Sequence, residues 1–384
     1  MPQLKLRAVF MRGGTSNALM FRAEDLPYDR TAWDRIFLGA LGSPDPYGRQ
    51  LDGMGGGLSS LSKVCVIGPP THPGADVDYT FAQVAIREAF VDYSGNCGNM
   101  SSAVGPFAVD EGIVKAPGRE AVVRIHNTNT HKLIIARFAI EQGKAAVEGD
   151  LVLPGVAGRG AAIKLEFLAP GGAGTGYLLP TGNALDLLDL NDSRIEASMV
   201  DAANPCVFVA ADAVGLTGTE MPDQLERDHA TMKRLEAIRL AASLRMGIAT
   251  TADDAARKPG IPKVAIVSGP RDASTLTGER LTADSCDVTV RMISIGQPHR
   301  AVPLTGAMCL AVAARLPGSV VARVARPPSG PDSPLRIAQP SGLTVVASAL
   351  RRDGNGWFAE HATVYRTARR LMEGYVLVPS VALD

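Results

Sequence analysis

The sequence lacks a charge excess and a long apolar run, and no signal peptide is expected at its start. Its 384 residues contain 39 Lys and Arg against 39 Asp and Glu, so the charge balance does not favour nucleic acid or a charged membrane surface as a partner. No apolar run reaches membrane-spanning length. The segment Met1–Phe10 is typical of a first strand and lacks the apolar core of a signal peptide. These absences predict a cytoplasmic protein that binds neither nucleic acid nor a membrane.

The sequence also has few cysteines, and they follow no ligand or disulfide spacing. Five cysteines occur without a Cys-x-x-Cys pair or a Cys/His cluster. A disulfide framework and a structural zinc site are therefore not expected, and no metal is predicted. The glycine-dense stretch Asp52–Lys63 matches neither the P-loop order nor the dinucleotide-binding fingerprint. No cofactor is predicted.

What the sequence does have is glycine and proline, 40 and 26 residues, which separate many short strand-like runs. The expected helices are Thr31–Leu41, Met100–Glu111, Gln224–Met246 and a short one within Leu179–Ala197. This mixture predicts an α/β (α+β) protein with two domains, residues 1–185 and 186–370. The C-terminal strand 371–384 is a candidate to complete the first domain.

The most informative stretch is Val91–Ala103, which predicts a strand end, a glycine-flanked turn and a helix start. Gly95 and Gly98 flank Cys97, so the backbone can turn tightly and leave the thiol uncovered. A thiol at a helix N-terminus faces unpaired N–H groups and the positive end of the helix dipole, which favours the thiolate. The same N–H groups attract carboxylates. The alternative interpretation is a small buried hydrophobic residue, the role expected for the other four cysteines.

Two further motifs stand where loops meet strands. Met11–Asn17 ends the first strand with amides and with the hydroxyls of Thr15 and Ser16, which together can hold a carboxylate. A plain hairpin turn is the alternative interpretation. Lys63 stands where the glycine-dense loop enters the apolar run Val64–Ile67, so it can be partly desolvated and suited to acid–base work. The alternative interpretation of Lys63 is a solvated lysine at a strand edge.

The two halves of the chain share a weak internal repeat. Cys97–Val104 and Thr305–Val312 both follow an expected strand and start an expected helix, and they match at Gly, Met, one Ala and Val. Thr15–Phe21 and Asn204–Val209 form a second candidate pair, with chance similarity as the alternative. The repeat predicts two domains of like fold whose helix N-termini face across a cleft. A racemase site with two thiols would then have only one here, because Thr305 stands where a second cysteine is needed.

Together these motifs resemble the PrpF family of methylaconitate isomerases, 4-oxalomesaconate tautomerases and 3-methylitaconate isomerases. The motifs that carry the resemblance in the first third of the chain are Met11–Ser16, Gly42–Gly48, Asp52–Gly56, Ser59–Lys63, Asp76–Tyr79, Ser94–Asn99 and His126–Thr130. The looser matches of the second half are Ala203–Pro205, Arg245–Gly247 and Pro298–Ala301.

The resemblance implies a diaminopimelate epimerase-like fold. In it, two similar domains each wrap a mixed β-sheet around a central helix, with the active site in the cleft between them. It also implies a cofactor-independent isomerase that shifts a double bond in a small unsaturated di- or tricarboxylate such as 4-oxalomesaconate, methylaconitate or aconitate. Lys63 and Cys97 occupy the positions of the family's proton-transferring lysine and cysteine. Many members have a lysine where this chain has Asn17, so the identity of the acid stays open.

The expected substrate-binding residues lie on the motif loops and at the helix starts. They are Arg12, Thr15, Ser16, Asn17, Met54, Gly55, Ser62, Gly98, Asn99, Met100, Asn204, His299, Thr305, Gly306 and Ala307. Backbone amides at the two helix starts are expected to hold carboxylates and to stabilise a developing enolate. Lys63 is the expected base and Cys97 the expected acid, with the reverse assignment open. The oligomeric state is open as well, with a homodimer as one candidate.

Two other functions fit the same residues. A racemase or epimerase of the same fold needs two opposed bases, and Thr305 is a poor second one. A non-catalytic protein that binds a carboxylate metabolite, or assists an aconitase-like partner, would have no need of Lys63 and Cys97. In each case the expected ligand is a small carboxylate.

Overall fold

The fold is that of a computed structural model, which describes residues 3–93, 95–190, 193–330, 333–354 and 356–379. Ser94 of the cysteine motif and residues 380–384 of the expected C-terminal strand lie outside these ranges. The chain divides into two compact units. Unit 1 comprises Met1–Glu166 and Tyr365–Asp384, and unit 2 comprises Phe167–Val364.

The strands and helices follow one another along the chain in mixed order. The strands up to residue 168 are β1 (Leu4–Gly13), β2 (Ser16–Arg22), β3 (Lys63–Gly68), β4 (Val77–Val84), β5 (Val91–Asp92), β6 (Glu120–Asn127), β7 (Lys132–Glu141), β8 (Lys144–Ala145), β9 (Leu151–Val152), β10 (Arg159–Gly160) and β11 (Ile163–Leu168). The later strands are β12 (Asp186–Asp189), β13 (Arg194–Asp201), β14 (Pro205–Ala210), β15 (Lys263–Ser268), β16 (Ala273–Ser274), β17 (Arg280–Leu281), β18 (Val288–Ser294), β19 (Gln297–Pro298), β20 (Leu335–Gln339), β21 (Gly342–Asp353), β22 (Gly356–Arg366) and β23 (Ala368–Val378). The α-helices are α1 (Trp33–Leu41), α2 (Ser101–Asp110), α3 (Pro222–Arg227), α4 (His229–Arg245), α5 (Ala252–Arg257), α6 (Leu304–Ala313) and α7 (Val320–Val324).

Unit 1 is built on a mixed sheet with a regular alternation of strand directions. β1 pairs antiparallel with β2, β2 parallel with β3, and β3 antiparallel with β4. β4 then pairs parallel with β6, which pairs antiparallel with β7. β23 returns from the far end of the chain to pair antiparallel with β1. Helix α1 is the crossover between the parallel strands β2 and β3, and its Ile36 and Phe37 pack with Phe21 and Val64 of those strands.

Unit 2 repeats this alternation with different residues. β13 pairs antiparallel with β14, β14 parallel with β15, and β15 antiparallel with β18. β18 then pairs parallel with β20, which pairs antiparallel with β21. Helix α4 takes the crossover between β14 and β15, and its Leu235 and Ile238 pack with Val207 and Val264. The equivalence of β2 with β14 confirms the second repeat pair read from the sequence.

Each unit places one helix at the centre of its sheet. In α2 all residues from Ser101 to Val109 are buried, and in α6 all except Thr305 are buried. A helix that is apolar around its whole circumference must be enclosed by the sheet, which explains why neither helix shows a polar face. Pro106 lies inside α2 and does not end it, since the helix continues to Asp110.

The structure corrects two predicted elements. The single helix expected over Gln224–Met246 is two helices, α3 and α4, because Asp228 leaves the helical conformation and its carboxylate accepts a hydrogen bond from the Thr231 N–H, capping α4. The short helix expected within Leu179–Ala197 is absent from the described residues there. Instead β12 pairs antiparallel with β13. Along β12 the buried Leu188 lies between the exposed Leu187 and Asp189, as expected for a strand with one face covered.

The bounds of the units also differ from those of the expected domains. Unit 1 ends at Glu166 rather than at residue 185, because the segment that follows is hydrogen-bonded to β13 of unit 2. The Gly172 N–H donates to the Asp201 carbonyl at 2.9 Å, and the N–H groups of Gly174 and Thr175 donate to the Asp201 carboxylate at 2.8 and 2.7 Å. No helix in the described part of the chain is long and apolar enough to cross a membrane.

Candidate active site

Lys63 is the first residue of β3 and pairs with Gln83 of β4. Its residue surface is only 8% exposed. The amine lies 5.0 Å from the centre of the Phe81 ring and donates a hydrogen bond to Oε1 of Gln83. Lys63 is therefore a desolvated amine inside unit 1, and the alternative of a solvated lysine at a strand edge is wrong.

The Gln83 side chain is held in one orientation by the loop before β3. Its Nε2 donates to the carbonyls of Ser59 and Ser62 at 3.0 and 2.9 Å. Because both donor positions of the amide are used in this way, Oε1 faces the Lys63 amine. The glutamine thus fixes where that amine stands.

A buried glutamine organises the glycine-dense loop in front of Lys63. Gln50 is 1% exposed, and its Nε2 donates to the hydroxyls of Ser43 and Ser62 at 2.8 and 2.7 Å. Its Oε1 accepts from the Gly57 N–H at 3.0 Å. The Ser62 hydroxyl in turn donates to the Val84 carbonyl. These hydrogen bonds tie the loop to the start of β3.

Cys97 lies in the turn before α2 and is the one partly exposed cysteine of the chain, since the other four are buried. Cys65, two residues after Lys63 on the same face of β3, lies 3.8 Å from the Tyr79 hydroxyl. Burial is the largest cause that raises the pKa of the Cys65 thiol, and the charge of Cys97 raises it further. The charge of Lys63 lowers the same pKa. Lys63 and Cys97 both act on the Cys65 thiol, so the three side chains form one cluster in unit 1.

The turn that carries Cys97 includes three backbone N–H groups for which the described residues show no carbonyl acceptor. The Ser101 N–H and hydroxyl both donate to the Cys97 carbonyl, at 2.9 and 3.1 Å, which closes the turn at its carbonyl side. The N–H groups of Gly98, Asn99 and Met100 donate to no carbonyl among the described residues. Free N–H groups at the positive end of a helix attract anions, so this turn can hold a carboxylate beside the thiol.

The Met11–Asn17 motif packs directly on this turn. The Asn99 side-chain amide donates to the Thr15 hydroxyl at 3.1 Å. A Cβ on Gly13 would lie 2.8 Å from the Asn99 carbonyl, and a Cβ on Gly14, whose φ is +52°, would overlap the Asn99 side chain. Glycine at both positions is thus what lets the two motifs touch.

A buried arginine that the sequence did not reveal lies at the same place. Arg366, the last residue of β22, is 8% exposed, and its Nε donates to the Asn99 side-chain oxygen at 3.3 Å. Burial lowers its pKa to about 10, so the guanidinium stays charged at pH 7. Among the described residues no carboxylate pairs with it. Its only signal in the sequence is the basic run Arg366–Arg370, far along the chain from every motif.

The remaining predicted residues of unit 1 contact protein groups. Arg12 donates to the carbonyls of Gly14 and Thr367 at 2.9 and 3.0 Å, and burial, followed by the charge of Arg369, lowers its pKa. The other predicted residues are Ser16 and Asn17 at the start of β2, Met54 and Gly55 in the loop held by Gln50, Ser62 beside it, and the fully buried Met100. Their roles in substrate binding stay predictions.

Five predicted residues lie in unit 2. Thr305, Gly306 and Ala307 form the first turn of α6. Asn204 lies in the turn between β13 and β14, and its Oδ1 is buried with no hydrogen-bond partner among the described residues. Burial, and then the charge of Lys263, lower the pKa of His299 to about 4, so its imidazole is neutral at pH 7. No group of three His, Cys, Asp or Glu in the described ranges could hold a metal ion.

Comparison with known proteins gives matches over nearly the whole chain. The sequence profile of a family described as PrpF protein matches residues 3–379. The 3-methylitaconate isomerase of Eubacterium barkeri is 43% identical over 383 residues, 99% of each chain. The 2-methyl-aconitate isomerase of Shewanella oneidensis is 40% identical over 392 residues, 98% of each chain.

Solved structures confirm the expected fold class. A crystal structure of methylitaconate-delta-isomerase superposes with a TM-score of 0.88 at 41% identity and covers 100% of this chain and 98% of that one. A hydroxyproline epimerase from Agrobacterium vitis superposes with a TM-score of 0.53 at 13% identity, covering 97% and 92%, and so shares the fold alone.

Proposed function

The chain belongs to the PrpF family and is an isomerase, and we propose that it moves a carbon–carbon double bond within a small unsaturated di- or tricarboxylate by a 1,3-shift of a proton. The observation that carries the proposal is the cluster of a desolvated lysine and an accessible thiol in unit 1. Acids of the kind named for the relatives, a methylaconitate or a methylitaconate, are the candidate substrates.

The proposed reaction needs one base and one acid. The Lys63 amine takes the proton from the allylic carbon and becomes an ammonium, while the electron pair of that C–H bond spreads over the double bond and the adjacent carboxylate as an extended enolate. The Cys97 thiol then gives its proton to the far carbon and becomes a thiolate. Passing the proton from the ammonium to the thiolate restores both groups, so the net change is the shifted double bond. In the reverse assignment the thiolate removes the proton and the ammonium returns it.

Substrate carboxylates need cations and N–H donors in this scheme. Arg366 is the cation that we assign to one carboxylate, because it is buried, charged and free of a described carboxylate partner. This arginine supplies the positive charge that Asn17 does not. The N–H groups of Gly98 and Asn99, which donate to no described carbonyl, are assigned to the developing enolate charge.

Deuterium exchange with single variants tests the proposal. In D2O, we expect Cys97→Ala to lose net isomerisation by a factor on the order of 10³ while Lys63 still exchanges deuterium into the allylic position. We expect Lys63→Ala to lose both net isomerisation and the exchange of deuterium into the allylic position. The exposed Lys115→Ala and the buried Cys286→Ala serve as controls and should isomerise normally. Full isomerisation by either Lys63→Ala or Cys97→Ala would exclude the two-group scheme.

The same assay separates the other functions. A racemase or epimerase would exchange deuterium at a stereocentre without moving a double bond, and a non-catalytic binding protein would exchange none. Thr305, at the start of α6, offers a hydroxyl where a two-thiol racemase needs a second thiol, so we favour the isomerase.

A further inference from the structure

Strand β4 has a gap on the edge that faces away from β3. Val77–Tyr79 pair there with β6, and Gln83–Val84 pair with β5. Phe81 lies between these two pairings, and among the described residues no strand covers it on this edge. A buried backbone N–H and C=O without partners would be costly, so another group is needed at this point.

The Asn129 side chain fills the gap. Asn129 belongs to the loop between β6 and β7, within the motif His126–Thr130. Its Oδ1 accepts from the Phe81 N–H at 2.8 Å, and its Nδ2 donates to the Phe81 carbonyl at 2.8 Å. A side-chain amide carries a donor and an acceptor as a peptide group does, so Asn129 takes the place of a strand residue.

The same amide binds the segment that leads to Cys97. Its Nδ2 also donates to the Tyr93 carbonyl at 2.8 Å. Tyr93 directly follows β5, shortly before Cys97 in the chain. The Tyr93 hydroxyl donates to the carboxylate of Asp34 on α1 at 2.6 Å. The entry to the Cys97 turn is thus fixed on two sides.

The other end of this link lies at the Lys63 amine. The centre of the Phe81 ring is 5.0 Å from that amine, and Gln83 of the same strand accepts its hydrogen bond. One side-chain amide therefore joins the strand that surrounds Lys63 to the segment that leads to Cys97.

The two ends of the link differ in how firmly the sheet holds them. β4 pairs with β3 from Asp78 to Gln83, whereas β5 pairs with β4 through the two residues Val91 and Asp92. A segment with fewer backbone pairings is displaced at a lower cost. Loss of the Asn129 amide should therefore move the Cys97 turn more than it moves Lys63.

We propose that Asn129 is a positioning residue that fixes the Cys97 thiol relative to the Lys63 amine. This inference rests on the proposed function, in which the amine and the thiol act in turn on two carbons of one substrate. A displacement of about 1 Å can slow such a reaction by about a hundredfold. Asn129 acts through the backbone of Phe81 and Tyr93.

Isotope partitioning with the full chain in D2O tests the proposal, with methylaconitate and methylitaconate as probes. We expect Asn129→Ala to lower net isomerisation by about tenfold or more, while the allylic exchange by Lys63 falls by less than about threefold. A mere loss of folded protein would lower both rates equally and leave their ratio unchanged. Thr128→Val is the matched control in the same loop, because its hydroxyl pairs with Thr80 of β4, and it should keep the ratio of the unsubstituted chain.

Amide hydrogen exchange tests the same inference without a substrate. The Ser101 N–H donates to the Cys97 carbonyl at 2.9 Å and so reports whether the turn is held. We expect this amide to exchange at least about tenfold faster in Asn129→Ala and at an unchanged rate in Thr128→Val, as measured by mass spectrometry. A chain that isomerises neither acid would refute the proposed function, and the Ser101 exchange would still decide whether Asn129 holds the turn.

Two results would overturn the role of Asn129. One is an unchanged ratio of isomerisation to exchange in Asn129→Ala, and the other is an unchanged exchange rate of the Ser101 amide. If circular dichroism shows that Asn129→Ala does not fold, Asn129→Asp takes its place. The carboxylate of that variant keeps the acceptor for the Phe81 N–H and lacks a donor for the two carbonyls. We expect the same change in the ratio, and an unchanged ratio would refute the proposal equally.

Discussion

In unit 1 and in unit 2 a lysine is the first residue of the third strand of the repeated order, but the groups around the two lysines differ. Lys63 faces the Gln83 amide and the Phe81 ring. Lys263 faces the Ser294 hydroxyl and a backbone carbonyl, with no aromatic cover among its described contacts. The repeated strand order thus fixes the position of the lysine, while the side chains on the neighbouring strand set the environment of its amine.

The helix starts of the two units differ in the same way. Unit 1 carries a partly exposed thiol, Cys97, before α2. Unit 2 carries Thr305 in the first turn of α6, and its cysteines are all buried. A hydroxyl is a better hydrogen-bond donor than a thiol but a far weaker acid. This difference favours unit 1 for the proton transfer proposed above.

The largest expected difference between the units is in thiol reactivity. We expect iodoacetamide to label Cys97 at least about a hundredfold faster than Cys206 or Cys309 of unit 2, because only the thiolate of an accessible cysteine reacts. Burial raises the pKa of Cys309 and of Cys65 well above the ordinary value. Peptide mass spectrometry over a range of pH measures the rates. Faster labelling of either unit 2 thiol would refute the assignment of proton transfer to unit 1.

The buried arginine of unit 1 provides the next test. We expect Arg366→Met to raise KM by about tenfold or more with a smaller change in kcat, because the guanidinium is assigned to a substrate carboxylate. Arg366→Lys should recover part of the loss. The exposed Arg119→Met in unit 1 is the control. An unchanged KM in Arg366→Met would show that Arg366 does not bind a substrate carboxylate.

The smallest expected effect concerns the partners of the two lysines. Gln83→Met should lower kcat by up to about tenfold with little change in KM, because the Lys63 amine loses the acceptor that positions it. Steady-state kinetics measure both constants. Ser294→Ala in unit 2 should leave kcat unchanged. An unchanged kcat in Gln83→Met would show that Gln83 does not position the Lys63 amine.

The sequence determined more of unit 1 than of unit 2. The motifs around Lys63 and Cys97 were readable because glycine, cysteine and lysine stand there in patterns that local chemistry explains, and the strands around them alternate with turns. The sequence predicts a single helix over Gln224–Met246 because the apolar spacing continues past Asp228. A capping carboxylate such as that of Asp228 ends one helix and starts the next without changing that spacing.

By itself the sequence determined the local elements, the reactive residue types and the family. Only the tertiary structure decided which groups are desolvated and which of them meet. Arg366 reaches Asn99 because β22 and β23 return at the end of the chain to the sheet of unit 1. Pairing across hundreds of residues leaves no local pattern, because the energy of a buried charge depends on what surrounds it in space and not on what adjoins it in the chain.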